Sequence, residues 1–200
     1  MRLLKYICVL IWCLVLLRVA GGSEEGMIKH EGVYHNPNYL YAITLPPGVV
    51  CLSAPPPVPH HGCGIQLPED PSSYLWVDGS YNTLERVSSS DALRDQCDEF
   101  LQEGTEVVVL KRAATLLGDL PAERLTVRYR KVGEITATVK DVVVALRGEI
   151  ENYGDMIYTI GLISPESRFA DDDKVFEAIL QSWTNEFPSK ESAGEGKNRK

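Results

Sequence analysis

The sixty residues from Thr105 to Ser164, TEVVVLKRAATLLGDLPAERLTVRYRKVGEITATVKDVVVALRGEIENYGDMIYTIGLIS, constrain the fold more than any other stretch. Runs rich in β-branched residues alternate with turn signals at LGDLPA, KVG and ENYGD. That pattern predicts four consecutive antiparallel strands, a meander. Within AERLTVRYR, Leu125, Val127 and Tyr129 face one way, while Arg124, Thr126, Arg128 and Arg130 face the other. One side of that strand is therefore wet or paired with acid. The next strand, VVVAL, is apolar on both sides, as expected where a helix covers a face that is elsewhere open.

The flanking segments supply helices and a further strand. SYLWVDGSYN reads as a short aromatic strand that breaks at Asp78-Gly79, a strong turn signal. The stretch SDALRDQCDEFLQEG predicts a helix over 90–103, with Leu93, Cys97, Phe100 and Leu101 on its apolar stripe. A closing helix, ADDDKVFEAILQSW, puts Val175, Phe176, Ile179, Leu180 and Trp183 on one side. Asp171 is expected to cap it, with Asp172 and Asp173 favoured by the positive end of the helix dipole. The fold class is α+β, a mostly antiparallel sheet with helices packed on its faces.

The chain opens on a basic start (Arg2, Lys5), an apolar run of 12 residues from Tyr6 to Leu17, Arg18 and then small residues. This is the layout of a secretory signal peptide, cleaved after Gly21 or Gly22. A membrane span needs roughly 20 apolar residues, so a retained anchor is the weaker reading. Neither leader cysteine has the sequence context for lipid modification. The expected organisation is a signal peptide over 1–21, a flexible lead over 22–33, one domain over 34–187 and a disordered tail over 188–200, PSKESAGEGKNRK lacking apolar residues. Export makes the protein secreted or periplasmic, with no stable membrane span after cleavage. Without the signal, 17 basic side chains face 28 acidic ones, a net charge of −11. Nucleic acid is an unsuitable partner for so acidic a chain.

Three cysteines remain after cleavage: Cys51, Cys63 and Cys97. Cys97 falls on the helical stripe and reads as a buried thiol. Cys51 and Cys63 flank a proline-rich loop between two apolar segments, and neighbouring antiparallel strands would bring them within disulfide range. Cys51, His60, His61 and Cys63 also form a possible Cys₂His₂ set for zinc or copper. Adjacent histidines seldom both turn to one tetrahedral centre, however, and the usual C-x₂₋₄-C arm is missing. Free thiols with solvated histidines are a third state.

No motif of catalysis has supporting context. There is no G-x-S-x-G elbow, glycine-rich phosphate loop, H-E-x-x-H pair or calcium loop, and all four histidines (30, 35, 60 and 61) lie in loop-like sequence before residue 62. No cofactor is expected. Two groups of residues suit a binding surface: Trp76, Asp78 and Tyr81, which combine aromatic and acidic character, and the arginine stripe Arg124, Arg128 and Arg130. Core packing of Trp76 and pairing of the arginines with neighbouring acids are the structural readings of the same residues.

A strand ending in LPPGV, a meander entered through GDLPAERLTVRY, and the closing unit IYTIGLISPESRFADDDKVFEAILQSW resemble the Mog/PsbP-like α/β/α sandwich over residues 39 to 184. The resemblance implies a secreted bacterial protein that binds another protein and has no shared catalytic centre. The expected function is thus a non-catalytic binding module for a protein partner. A small metal-binding protein using the 51–63 loop, and a hydrolase without a recognisable signature, are the alternatives.

Overall fold

The computed structural model describes residues 26–55, 61–67, 71–94, 104–131, 133–150 and 154–186. Eight strands form one antiparallel sheet in the order β1-β4-β5-β6-β10-β9-β8-β7, and three more form a small sheet, β11-β3-β2. The strands are β1 (Ile28–His30), β2 (Val33–Asn36), β3 (Tyr41–Thr44), β4 (Val50–Ser53), β5 (Gly62–Gln66), β6 (Tyr74–Tyr81), β7 (Gly104–Leu117), β8 (Leu120–Lys131), β9 (Thr138–Ile150), β10 (Gly154–Pro165) and β11 (Thr184–Asn185). Helix α1 is described over 89–94, and α2 spans Phe169–Ser182. The meander predicted from the alternating runs is β7 to β10, each strand paired with the next.

The sheet buries apolar side chains on both faces. Its inner face, with Ile65, Leu75, Val77, Val143, Ala145, Ile160 and Leu162, packs against Phe176 and Ile179 of α2 and Tyr41 and Ile43 of the small sheet. Its outer face carries Leu125, Val127, Tyr129, Val142 and Val144 beneath Ala92 and Leu93 of α1. The VVVAL run therefore feeds two cores, Val142 and Val144 outward and Val143 and Ala145 inward. Trp183 ends α2 by stacking on Tyr41, with ring centroids 4.5 Å apart and planes at 10°.

Four expectations need correction. The lead over 22–33 is structured in part, because Ile28–His30 pairs with β4 at the sheet edge and His30 Nε2 lies 2.8 Å from Ser53 Oγ. The apolar segment before Cys51 is not one strand: β3 lies in the small sheet, and a turn closed by Val49 N–H donating to Pro46 O leads to β4 in the large one. Asp78-Gly79 is not a turn either. Strand β6 continues to Tyr81 with Gly79 opposite Tyr158, and glycine is required there because a Cβ would sit 2.7 Å from Tyr39 Cβ. Finally, α2 starts at Phe169 with Arg168 as N-cap and no side-chain cap, so Asp171 lies in the first turn. Asp172 is buried and accepts from Ser73 Oγ (2.5 Å) and Ser164 Oγ (2.6 Å), tying α2 to β10 and to the residue before β6. The signal peptide, the tail, His60, Cys97 and the rest of the 90–103 helix lie outside the described residues.

Candidate functional site

Antiparallel partners directly opposite each other put their side chains on the same face. Leu52 faces Gly64, Gly64 faces Trp76, and Trp76 faces Gly161, so these residues form one row across the outer surface. Val50, Gln66 and Tyr74 form the next row. Cys51, Cys63, Leu75 and Val77 point the other way, into the inner core. The alternation in VCLS and YLWV thus leaves apolar side chains on a part of the outer face away from the α1 core. They line a groove of about 640 Å³ that includes Val50, Leu52, Gly64, Leu67 and Tyr74. Tyr74 is 50% exposed and stacks on Trp76 at 5.8 Å and 14°.

Trp76 is half-buried beside the outer core, with Lys140 Nζ 4.8 Å from its ring centroid. Its ring lies over Gly161, where a Cβ would come within 2.3 Å of it. Two residues further along β6, Asp78 shares the outer face with Thr159, its partner on β10. It lines a second, smaller pocket of about 250 Å³ with Ser80, Thr83, Leu84, Ile157 and Thr159. Burial pushes the Asp78 carboxyl above its ordinary range, and the nearby His61 only partly offsets this. Tyr81 points to the other face, 5.4 Å from Tyr39, yet reaches the rim of the Asp78 pocket at the strand end. Trp76 and Asp78 therefore share the outer face, and Tyr81 approaches the pocket from the opposite one.

The arginine stripe lies on the inner side, away from the groove. Arg124 is 13% exposed and clamps the sheet to α2: Nε and Nη2 donate to Asp141, Nη2 donates to Asp173 at 3.2 Å, and Nη1 donates to Glu177. Burial opposes its charge, but the hydrogen bonds to Asp141 and Glu177 outweigh that and hold the guanidinium charged. Asp141 is almost fully enclosed and also accepts from Thr126. Arg128 and Arg130 are each 42% exposed and pair at the surface with Glu166 and Glu106. Sequence reasoning found the arginines but not their acids, which come from β9 and α2 for Arg124, from the β10–α2 connection for Arg128 and from β7 for Arg130.

Cys51 and Cys63 stand on adjacent strands with Cα atoms 5.8 Å apart and their sulfurs at bonding distance. Bonded sulfurs are not thiolates and cannot serve a metal. His61 stacks on Tyr39 at 5.2 Å, with Nδ1 3.0 Å from Tyr39 Oη and 3.2 Å from Gly79 O. That ring nitrogen is therefore engaged with neither sulfur, and no Ser-His-Asp relay forms through His61 and Asp78. Among the described residues no cluster of three or more His, Cys, Asp or Glu could hold a metal ion. Among them, too, no helix is long and apolar enough to cross a membrane.

No known family's sequence pattern matches the chain, and no curated protein matches it in sequence. Solved structures do resemble it. LpqN from Mycobacterium tuberculosis, a protein involved in cell envelope biogenesis, is 13% identical with a TM-score of 0.55, over 78% of this chain and 90% of that one. The cyanobacterial PsbP protein CyanoP from Synechocystis is 13% identical with a TM-score of 0.48, over 80% and 92%. A Pseudomonas aeruginosa protein of unknown function, PA94, is 12% identical with a TM-score of 0.47, over 80% and 99%. At these identities the likeness concerns the fold, and the fold is an α+β sandwich of the kind found in LpqN.

Proposed function

We propose that the chain is an exported, non-catalytic module that binds a protein partner across the outer face of β4, β5 and β6. The observation that carries this reading is the groove itself. Val50, Leu52 and Tyr74 alternate with core residues on their strands, yet face an open concavity. An apolar concavity with an exposed aromatic at its rim is the usual seat of a binding anchor. Export is supported by the N-terminal sequence and by the pairing of Cys51 with Cys63, since disulfides persist in oxidising compartments. LpqN, the fold relative above, is a protein of cell envelope biogenesis, and that setting agrees with export. In this reading the arginine stripe lies outside the contact surface.

The test is affinity capture from the envelope and medium of the source organism with three baits: the mature protein, the double variant Leu52→Asp/Tyr74→Ala, and Arg128→Ala. One protein retained by the first and third baits and lost by the second is the expected result. Equal recovery on all three baits overturns the groove as the contact surface.

A further inference from the structure

The Asp78 pocket carries a carboxylate that the fold compensates only in part, through the nearby His61. Among the described residues the carboxylate has neither a hydrogen bond nor a salt bridge, although Asp78 is half-buried between Gly62 and Thr159. Such a charge is costly unless something neutralises or pairs it. The hydroxyls of Ser80, Thr83 and Thr159 line the same space and can accept N–H hydrogen bonds. Leu84, Ala92 and Ile157 make the remaining wall apolar, suited to the methylene stem of a long side chain.

We propose that this pocket seats a cationic side chain, the ammonium of a lysine or the guanidinium of an arginine on the bound protein. The inference rests on the protein-binding reading above and adds the chemistry of one partner residue. Asp78 supplies the counter-charge, the hydroxyls take the remaining N–H groups, and the apolar wall holds the stem. Tyr74, Trp76 and Asp78 follow one another on the same face of β6. At about 3.3 Å per residue, an anchor in the groove and a cation at Asp78 are roughly 13 Å apart, four residues along an extended partner segment. A divalent cation does not suit the pocket, since calcium takes 6 to 8 oxygen ligands, roughly, and usually several carboxylates. The raised carboxyl pKa agrees with an anion awaiting its cation.

The experiment follows the carbon-13 signal of the Asp78 carboxyl in aspartate-labelled mature protein. The probes are the N-acetyl methylamides of lysine, arginine and norleucine, and calcium chloride alone. The lysine or arginine probe should shift the signal saturably and lower its titration midpoint, while norleucine, with a similar stem and no charge, should leave it unmoved. Asp78→Asn, followed through the backbone amides of Ser80 and Thr159, should bind the cationic probe about tenfold more weakly or worse. Ser80→Ala, which keeps the carboxylate, should fall between. The inference is overturned if norleucine acts as strongly as lysine, if Asp78→Asn binds unchanged, if neither cationic probe saturates, or if calcium alone does. Loss of probe binding with capture still dependent on Leu52 and Tyr74 removes this inference and leaves the groove. Probe binding with groove-independent capture does the reverse.

Discussion

Arg124 and Arg128 sit four positions apart on the same side of β8, and the fold treats them differently. Removing the Arg124 side chain would leave Asp141, almost fully enclosed, without its counter-charge, and would release Asp173 and Glu177 of α2. Breaking such a buried cluster costs about 3–5 kcal/mol. Arg128 holds a half-exposed pair with Glu166, and its loss should cost less than about 1 kcal/mol. Urea melts of Arg124→Ala and Arg128→Ala should show that gap; equal losses would mean the cluster does not anchor the helix. Strand alternation places both arginines on one face but cannot tell which end α2 covers, because the helix arrives some 50 residues later. Asp78 behaves in the opposite sense from Arg124. Burial raises its carboxyl pKa in the folded state, so the folded form binds more protons than the unfolded one between the unfolded value near 3.8 and the raised value. Stability contributed by this group is lost as pH rises through that window, and the penalty persists at neutral pH. Asp78→Asn should therefore melt at a higher temperature than the parent at pH 7, with the difference shrinking as the pH falls through that window toward the unfolded value near 3.8. A variant that is less stable at pH 7 would mean that the carboxylate is satisfied in the folded state.

The long strands were readable because their evidence is local: alternation and turn residues within a few positions fix β7 to β10. The small sheet was not, because its pairing is remote, with Asn185 of β11 opposite Tyr41 of β3 and only short strands to carry the pattern. The same contrast explains Asp78-Gly79. Read locally it is a turn, but Gly79 is there because the Tyr39 side chain lies against its α-carbon from forty positions away in sequence. The candidate surface was half legible, since Trp76 and Asp78 stood out in the sequence while Val50, Leu52 and Tyr74, which line the groove, did not. What separates them is which residues of the outer face α1 covers, a fact of packing that alternation does not encode. Gly161 is another remote requirement, and it sets the position of Trp76. A methyl group there would lie 2.3 Å from the indole, so Gly161→Ala must push the ring aside. Overpacking of this kind costs about 1–3 kcal/mol. The indole should lose its stacking on Tyr74, visible as a shift in tryptophan fluorescence, while Trp183 stays on Tyr41 at the other side of the sheet. An unchanged spectrum would mean that the glycine is not what seats the ring.

At the scale of the whole molecule, export and the pairing of cysteines make linked claims about thiols. The chain has five cysteines; Cys8 and Cys13 lie in the proposed leader, leaving three if it is removed. With Cys51 and Cys63 bonded, denatured but unreduced mature protein should titrate one thiol, that of Cys97. A zinc or copper site would keep Cys51 and Cys63 reduced, and three thiols would appear once chelator and denaturant are added. Retention of the leader also gives three, so intact mass must be read on the same sample: a mass short of residues 1–21 or 1–22 identifies the processed form. Closing a loop with a sequence separation of 12 should stabilise the fold by about 3 kcal/mol in the chain-entropy model. Reduction should then lower the denaturation midpoint by a corresponding amount. Replacing His61 by Ala should not release the loop, because its ring rests on Tyr39 and Gly79 and plays no part in joining β4 to β5. One thiol at the processed mass, with a midpoint that falls on reduction, is the expected outcome. Three thiols at that same mass would end the disulfide, and with it the link between the 51–63 loop and an oxidising compartment on which the exported reading partly stands.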